Sequence, residues 1–177
     1  SGEFLGLAPE GARMVGVEVD QTTARIAAHL HPDQQIHAAG FEKTMFPENS
    51  FSAAVGNVPF GRYSVVDKTH NGQGHSIHNH FILKSLRLTA PGGYVAVMTS
   101  THTMDAKRET ARREMARYAD LVGALVASPP GGAADSADAD GEARLPTVVN
   151  APGEWSDDDS ELGPVAVIGL AKRLEEV

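Results

Sequence analysis

The chemistry of this chain concentrates in four consecutive residues, Asn57-Val58-Pro59-Phe60. They follow directly on Phe51 to Gly56 (FSAAVG), an apolar run of strand length. An amide, a rigid turn and an aromatic ring at the carboxyl end of a strand can together hold a flat base that carries a reactive amine. The Asn side-chain oxygen and the main-chain carbonyl of Val58 can each accept a hydrogen bond from an NH2 group, which aims the nitrogen lone pair at an electrophile. Proline fixes its own φ and so the direction of that carbonyl. Stacking of a base on the Phe60 ring is worth about 1–3 kcal/mol by analogy with single-strand binders. The same four residues also fit a plain β-turn with Phe60 packed into the core, and spacing alone leaves both readings open.

Two other groups of residues invite a chemical reading. His75, His78 and His80 lie close together, with His70 before them and His102 further on. Spacings of three and two do not put all three on one helical face. No Asp, Glu or Cys completes a familiar ligand set beside them, so no metal is expected. His78 and His80 are expected to open a helix at the rim of a substrate cleft. The second group is Lys107, Arg108, Arg112, Arg113 and Arg117, along a helix read from Asp105 to Tyr118. Glu109 and Glu114 interleave it, as on a solvated face. The alternative is phosphate contact by Arg108, Arg112 or Arg113.

These residues need a scaffold, and the pattern supplies one. Arg13 to Val19 (RMVGVEV) reads as a buried strand ending on Glu18 and Asp20, and Thr22 to Leu30 as a helix capped by Thr22 or Thr23. Gln35 to Ala39 is a short strand, and Pro47 to Ser50 a turn. Residues 61 to 76 are a polar loop, Ser76 to Thr89 a helix, and Ala90-Pro91-Gly92-Gly93 its breaker. Tyr94 to Thr99, Asp120 to Val126 and Val165 to Ala171 complete the strands. Strands alternating with helices predict an α/β fold with a parallel sheet and helices on both faces, with ligands at the carboxyl ends of the strands.

At 177 residues the chain is one domain's worth, and 41% apolar content suits a packed core. It holds no cysteine, so disulfides and cysteine-built zinc sites are out; this fits a reducing, cytoplasmic setting. No apolar run approaches eighteen residues, and no secretory leader opens the chain. The net charge of −8 is local: between Asp135 and Glu161 nine acids face the single base Arg144, an excess of eight, so the rest is neutral. Residues 127–161 are Gly-, Pro-, Ser- and Asp-rich and read as an acidic loop insertion. A neutral body has no strongly basic footprint, so affinity for DNA is expected to come mainly from another domain or partner.

The run Gly56-Asn57-Val58-Pro59-Phe60-Gly61, then Ile77-His78-Asn79-His80-Phe81, Lys84-Ser85-Leu86, Ala90-Pro91-Gly92-Gly93 and Arg117 to Ala124, resembles the class I S-adenosylmethionine-dependent N6-adenine DNA methyltransferases. The nearest likeness is to the methyltransferase domains of helicase-fused antirestriction proteins of phages and plasmids. It covers residues 1 to about 125 and the final strand loosely. It implies a Rossmann-like sheet, S-adenosylmethionine as cofactor, DNA with a flipped adenine as partner, and a fused or associated recognition or helicase domain. Asn57, the carbonyl of Val58, Pro59 and Phe60 match the target-base motif. Gly2 and Phe4 match the end of the cofactor loop. Glu18 matches the acid that accepts from the ribose hydroxyls, and Phe41 the aromatic packed on the cofactor's adenine. Phe41 fits the core equally well.

This sequence departs from the pattern in four places. It begins inside the cofactor loop, so the first strand is expected to be missing from this chain. Gly40 stands where relatives carry an Asp for the adenine amine, with Glu42 two residues along as a substitute. Residues 127–161 replace the segment that supplies a second stacking aromatic, where Trp155 is the one large ring. Val58 replaces a second proline, but the group needed there is a carbonyl. The expected function is methyl transfer to the N6 amine of adenine in DNA within a larger modification or antirestriction protein. Transfer to another planar amine (cytosine N4, an RNA base, protein glutamine) and a methyltransferase-like binding module without activity are the alternatives.

Overall fold

The computed structural model describes residues 2–127 and 165–174, so the acidic stretch and Trp155 lie outside the described residues. A short helix α1 (Glu3–Gly6) comes first. Strand β1 (Val15–Glu18) then pairs in parallel with β2 (Gln35–Ala38), and α2 (Gln21–Leu30) packs on both. The expected cap at Thr22 or Thr23 is corrected: Asp20 caps α2, its carboxylate accepting from the Thr23 amide at 2.7 Å. Asp20's own amide donates to Glu18 Oε1 at 2.9 Å, so the two acids after β1 shape the turn into the helix.

A second sheet has the order β3–β4–β6–β5, with β3 Phe51–Asn57, β4 Thr89–Ser100, β5 Ala119–Ala127 and β6 Val165–Lys172. β3 and β4 are parallel, in register Asn57↔Met98. The expectation of a parallel sheet fails at β6, which runs antiparallel to both β4 and β5. Strand direction depends on the path of the connection, which periodicity does not encode. The Ala90–Gly93 breaker is built into β4 as an irregularity: pairing passes from Phe51↔Thr89 directly to Ala53↔Tyr94. Gly93 is required there. A Cβ on it would strike the Ser52 carbonyl, with Thr89 Cγ2 at 2.6 Å.

Helix α3 (Ile77–Leu88) holds the core together. Ile82, Leu83 and Leu86 pack with Val95 and Val97 of β4, Ile168 and Leu170 of β6, and Met115 of α5. Burying three such aliphatic side chains contributes roughly 1.5–3 kcal/mol each. The expected single helix from Asp105 to Tyr118 is two: α4 (His102–Asp105) and α5 (Thr110–Tyr118). Ala106 is extended (φ −55°, ψ 135°), which interrupts the helical hydrogen-bond ladder although the apolar spacing runs on. Val55 of β3, Tyr94 of β4 and Leu121 and Leu125 of β5 remain exposed.

Candidate active site

One cleft is lined from both sheets: Val15 and Val17 of β1 stand on one side and Ala53 to Asn57 of β3 on the other, with Phe41, Phe46, Val58 and Phe81 completing it. Among the described residues β1 and β3 each have one neighbouring strand, and both contribute to this cleft.

The Asn57 turn lies at its β3 wall. Asn57 closes the strand and is exposed, and its side-chain amide has no hydrogen-bond partner among the described residues. Val58 is anchored: its side chain is in the core, and its N–H donates to the Met98 carbonyl at 3.0 Å. Pro59 is half-buried, and Phe60 is half-buried against the core cluster. The turn is therefore held from below by packing and by one strand-like hydrogen bond, and it presents an amide upward.

The residues expected on the cofactor side divide. Phe41 lines the same cleft as Asn57 and Val58. It begins the 3-10 turn Phe41–Lys43, and its ring lies 4.9 Å from that of Phe81. Glu18 is the last residue of β1, next to the cleft-lining Val17, and half-buried. Gly2 and Phe4 are not cleft residues. Gly2 caps α1 in the left-handed region (φ +83°), where a Cβ would meet the His31 ring at 3.1 Å, and Phe4 is an exposed residue of α1. Glu42 curls back over Gly40: a Cβ on Gly40 would have the Glu42 carboxylate carbon at 2.7 Å. The carboxylate thus occupies the space that a side chain at position 40 would fill.

Sequence reasoning missed the group that ties these parts together. Lys84, on α3, is completely buried. Its ammonium donates to the carbonyls of Phe41 (2.7 Å) and Thr44 (3.0 Å) and to Asp67 Oδ2 (3.0 Å), and it lies 4.9 Å from the Phe41 ring centroid. Asp67 also accepts from the amides of Thr69 and His70 and meets His80 Nε2 at 3.1 Å. One buried ion pair thus links the turn that carries Phe41, the loop that follows the Asn57 turn, and α3. Burial works to raise the Asp67 pKa, but hydrogen bonds from His80, Lys84 and the His70 amide overcome it and hold the carboxyl far below the ordinary range. The sequence signals were a lysine amid apolar residues of a helix and the place of Lys84-Ser85-Leu86 in the family resemblance, neither of which names Asp67 as its partner.

The expectation that His78 and His80 sit at a cleft rim is corrected. His80 is fully buried against Asp67, and His78 is buried with Nε2 at 3.0 Å from the Ser76 hydroxyl. Both imidazoles are shifted down, mainly by burial. His75 meets Glu114 of α5 at 2.7 Å. Among the described residues no group of three or more His, Cys, Asp or Glu side chains is placed to hold a metal ion. No helix among them is long and apolar enough to cross a membrane.

No family model matches the chain. Over 130 residues it is 28% identical to the Defense against restriction protein B of Escherichia phage P1, which covers 70% of this chain and only 6% of that protein. Among solved structures, a Listeria monocytogenes protein assigned to the class I S-adenosylmethionine-dependent methyltransferases superposes with a TM-score of 0.63 at 17% identity, covering 99% of this chain and 49% of that one. The N-methyltransferase NodS of Bradyrhizobium japonicum, solved with S-adenosyl-L-homocysteine, gives 0.55 at 14% identity, over 97% and 72%. A geranyl diphosphate methyltransferase solved with S-adenosylmethionine gives 0.57 at 12% identity, over 97% and 74%. A mixed sheet with one antiparallel strand and helices against it match a known architecture: the chain has the Rossmann-like fold of the class I methyltransferases.

Proposed function

We propose that this chain is the catalytic domain of an S-adenosylmethionine-dependent methyltransferase acting on the N6 amine of adenine in DNA. The observation that carries the reading is Asn57: an exposed carboxamide without a partner, at the carboxyl end of β3, on a turn whose next residue is locked by its burial and its bond to Met98. The similarity to a phage protein named for defense against restriction supports a role connected with restriction, which acts on DNA. That protein is far longer than the stretch matched, so a recognition or helicase domain beside this one is part of the proposal.

In this reading Phe41, which lines the cleft, packs on the cofactor's adenine; Glu18, next to the cleft-lining Val17, accepts from the ribose hydroxyls; and the Glu42 carboxylate over Gly40 accepts from the adenine amine. When bound, S-adenosylmethionine supplies an electrophilic methyl on a sulfonium sulfur. Asn57 Oδ1 and the Val58 carbonyl then hold the target amine by its two hydrogens and keep its lone pair free. Pro59 fixes that carbonyl, and the half-buried Phe60 offers ring surface to a base flipped from the duplex. As the amine becomes cationic, both acceptors bind it more tightly, so orientation and electrostatics do the catalysis.

The test is transfer of labelled methyl from S-adenosylmethionine to unmethylated DNA, read by base analysis, with Asn57→Ala in parallel. Label on adenine that is lost in Asn57→Ala is the expected result. Label on cytosine, RNA or protein glutamine moves the reading to another planar amine. A folded chain that neither transfers label nor binds S-adenosyl-L-homocysteine overturns it in favour of a binding module.

A further inference from the structure

A second concavity lies on the face of α5. It is lined by Lys107, Arg108, Arg113 and Arg117, with Thr110 and Gln73 between them. Two carboxylates share it, and both are engaged. Glu109 is held by Arg113 (Nε to Oε2 at 3.0 Å), and Glu114 by His75 at 2.7 Å. Four cations against two carboxylates leave the ledge net positive by two on a chain of charge −8. Lys107, Arg108 and Arg117 are exposed, and among the described residues no acid pairs with them.

Its position follows from the topology. β3 and β4 run parallel with Asn57 opposite Met98, so the Asn57 turn and the carboxyl end of β4 lie at the same end of the sheet. The chain leaves β4 at Ser100, turns through α4 and reaches Lys107 and Arg108 just before α5. Gln73 belongs to the loop that follows the Asn57 turn, and the His75–Glu114 bond fastens that loop to α5. The loop that follows the Asn57 turn thus reaches the ledge and is fastened there. A planar guanidinium fork and an ammonium beside the first turn of a helix are groups that take phosphate oxygens.

We propose that this ledge binds the phosphodiester backbone of the DNA strand whose base is presented to Asn57, a role that rests on the reading of the Asn57 turn as a base site. It gives the chain a local anchor despite its acidic total, because backbone contact needs a basic face and not a basic protein.

The experiment is fluorescence anisotropy of a labelled unmethylated duplex with the full chain over a salt series. Arg108→Ala/Arg117→Ala is compared with Arg25→Ala, an exposed position on α2. The double variant should bind roughly tenfold more weakly, and its log K against log salt slope should be shallower by about two, while Arg25→Ala matches the parent. An unchanged slope in the double variant overturns the proposal. So does a parent chain that fails to bind the duplex at low salt, or equal competition by polyglutamate at matched charge, which would assign the ledge to an acidic polypeptide. Methyl transfer is scored separately. Absent label with ledge-dependent binding intact fails the methyltransferase reading and leaves the ledge standing; label with an unchanged slope does the reverse.

Discussion

Lys84→Met tests the account of how the cleft is held together. The substitution keeps an unbranched, flexible side chain in a fully buried position and deletes the ammonium. Three hydrogen bonds vanish, to Phe41, Thr44 and Asp67, and Asp67 stays buried with His80, the His70 ring at 3.4 Å and two backbone amides as its partners. Removing one member of a buried pair costs about 3–5 kcal/mol. Because Asp67 keeps those partners, we expect the lower end, about 3 kcal/mol, against a typical total of about 5–15 kcal/mol. Adding Asp67→Asn removes the stranded charge, so the double variant should recover at least about 1 kcal/mol of that loss, a coupling expected of residues in contact. Urea denaturation reads this as a lower midpoint at unchanged slope. The pH dependence carries a sign. A carboxyl whose folded pKa is depressed adds stability that is full above about 3.9, the unfolded value, and is lost as pH falls toward the folded one. Without Lys84 the folded value rises, so acid unfolding should begin at a higher pH than in the parent. A loss under about 1 kcal/mol in Lys84→Met, or strict additivity with Asp67→Asn, would refute the reasoning.

Three further outcomes are expected. Glu42→Gln should weaken S-adenosylmethionine binding by roughly tenfold in titration calorimetry, since it turns a charged acceptor into a neutral one; an unchanged affinity removes Glu42 from the site. Gly93→Ala should cost about 1–3 kcal/mol in urea, because the added Cβ meets the Ser52 carbonyl and Thr89, and the backbone has to shift; a midpoint equal to the parent's would show slack in β4. Burial depresses the pKa of His70, His78 and His80, so the unfolded state takes up more protons below about 6.5. The melting temperature should therefore fall from pH 7 to pH 5, and fall less in His78→Gln; a flat profile in the parent contradicts the burial of these rings.

Local chemistry was legible in the residues themselves. The Asn57 turn was readable because amide, proline and strand end are contiguous, and β1, β2, β3 and α3 because their apolar periods match their geometry. Gly40 and Glu42 could be noted as neighbours, but their shared space needed the backbone path. What sequence could not supply were relations between distant residues. The meeting of Lys84 with Asp67 and with the carbonyls of Phe41 and Thr44 spans up to 43 positions, and no periodicity encodes such a pair. A lysine on a helix is by default a solvated one; only the packing of α3 under the 3-10 turn buries it. The direction of β6, the break at Ala106 and the burial of His80 were likewise decided by long-range packing, which overrides local preference wherever the core can gain more than the segment loses.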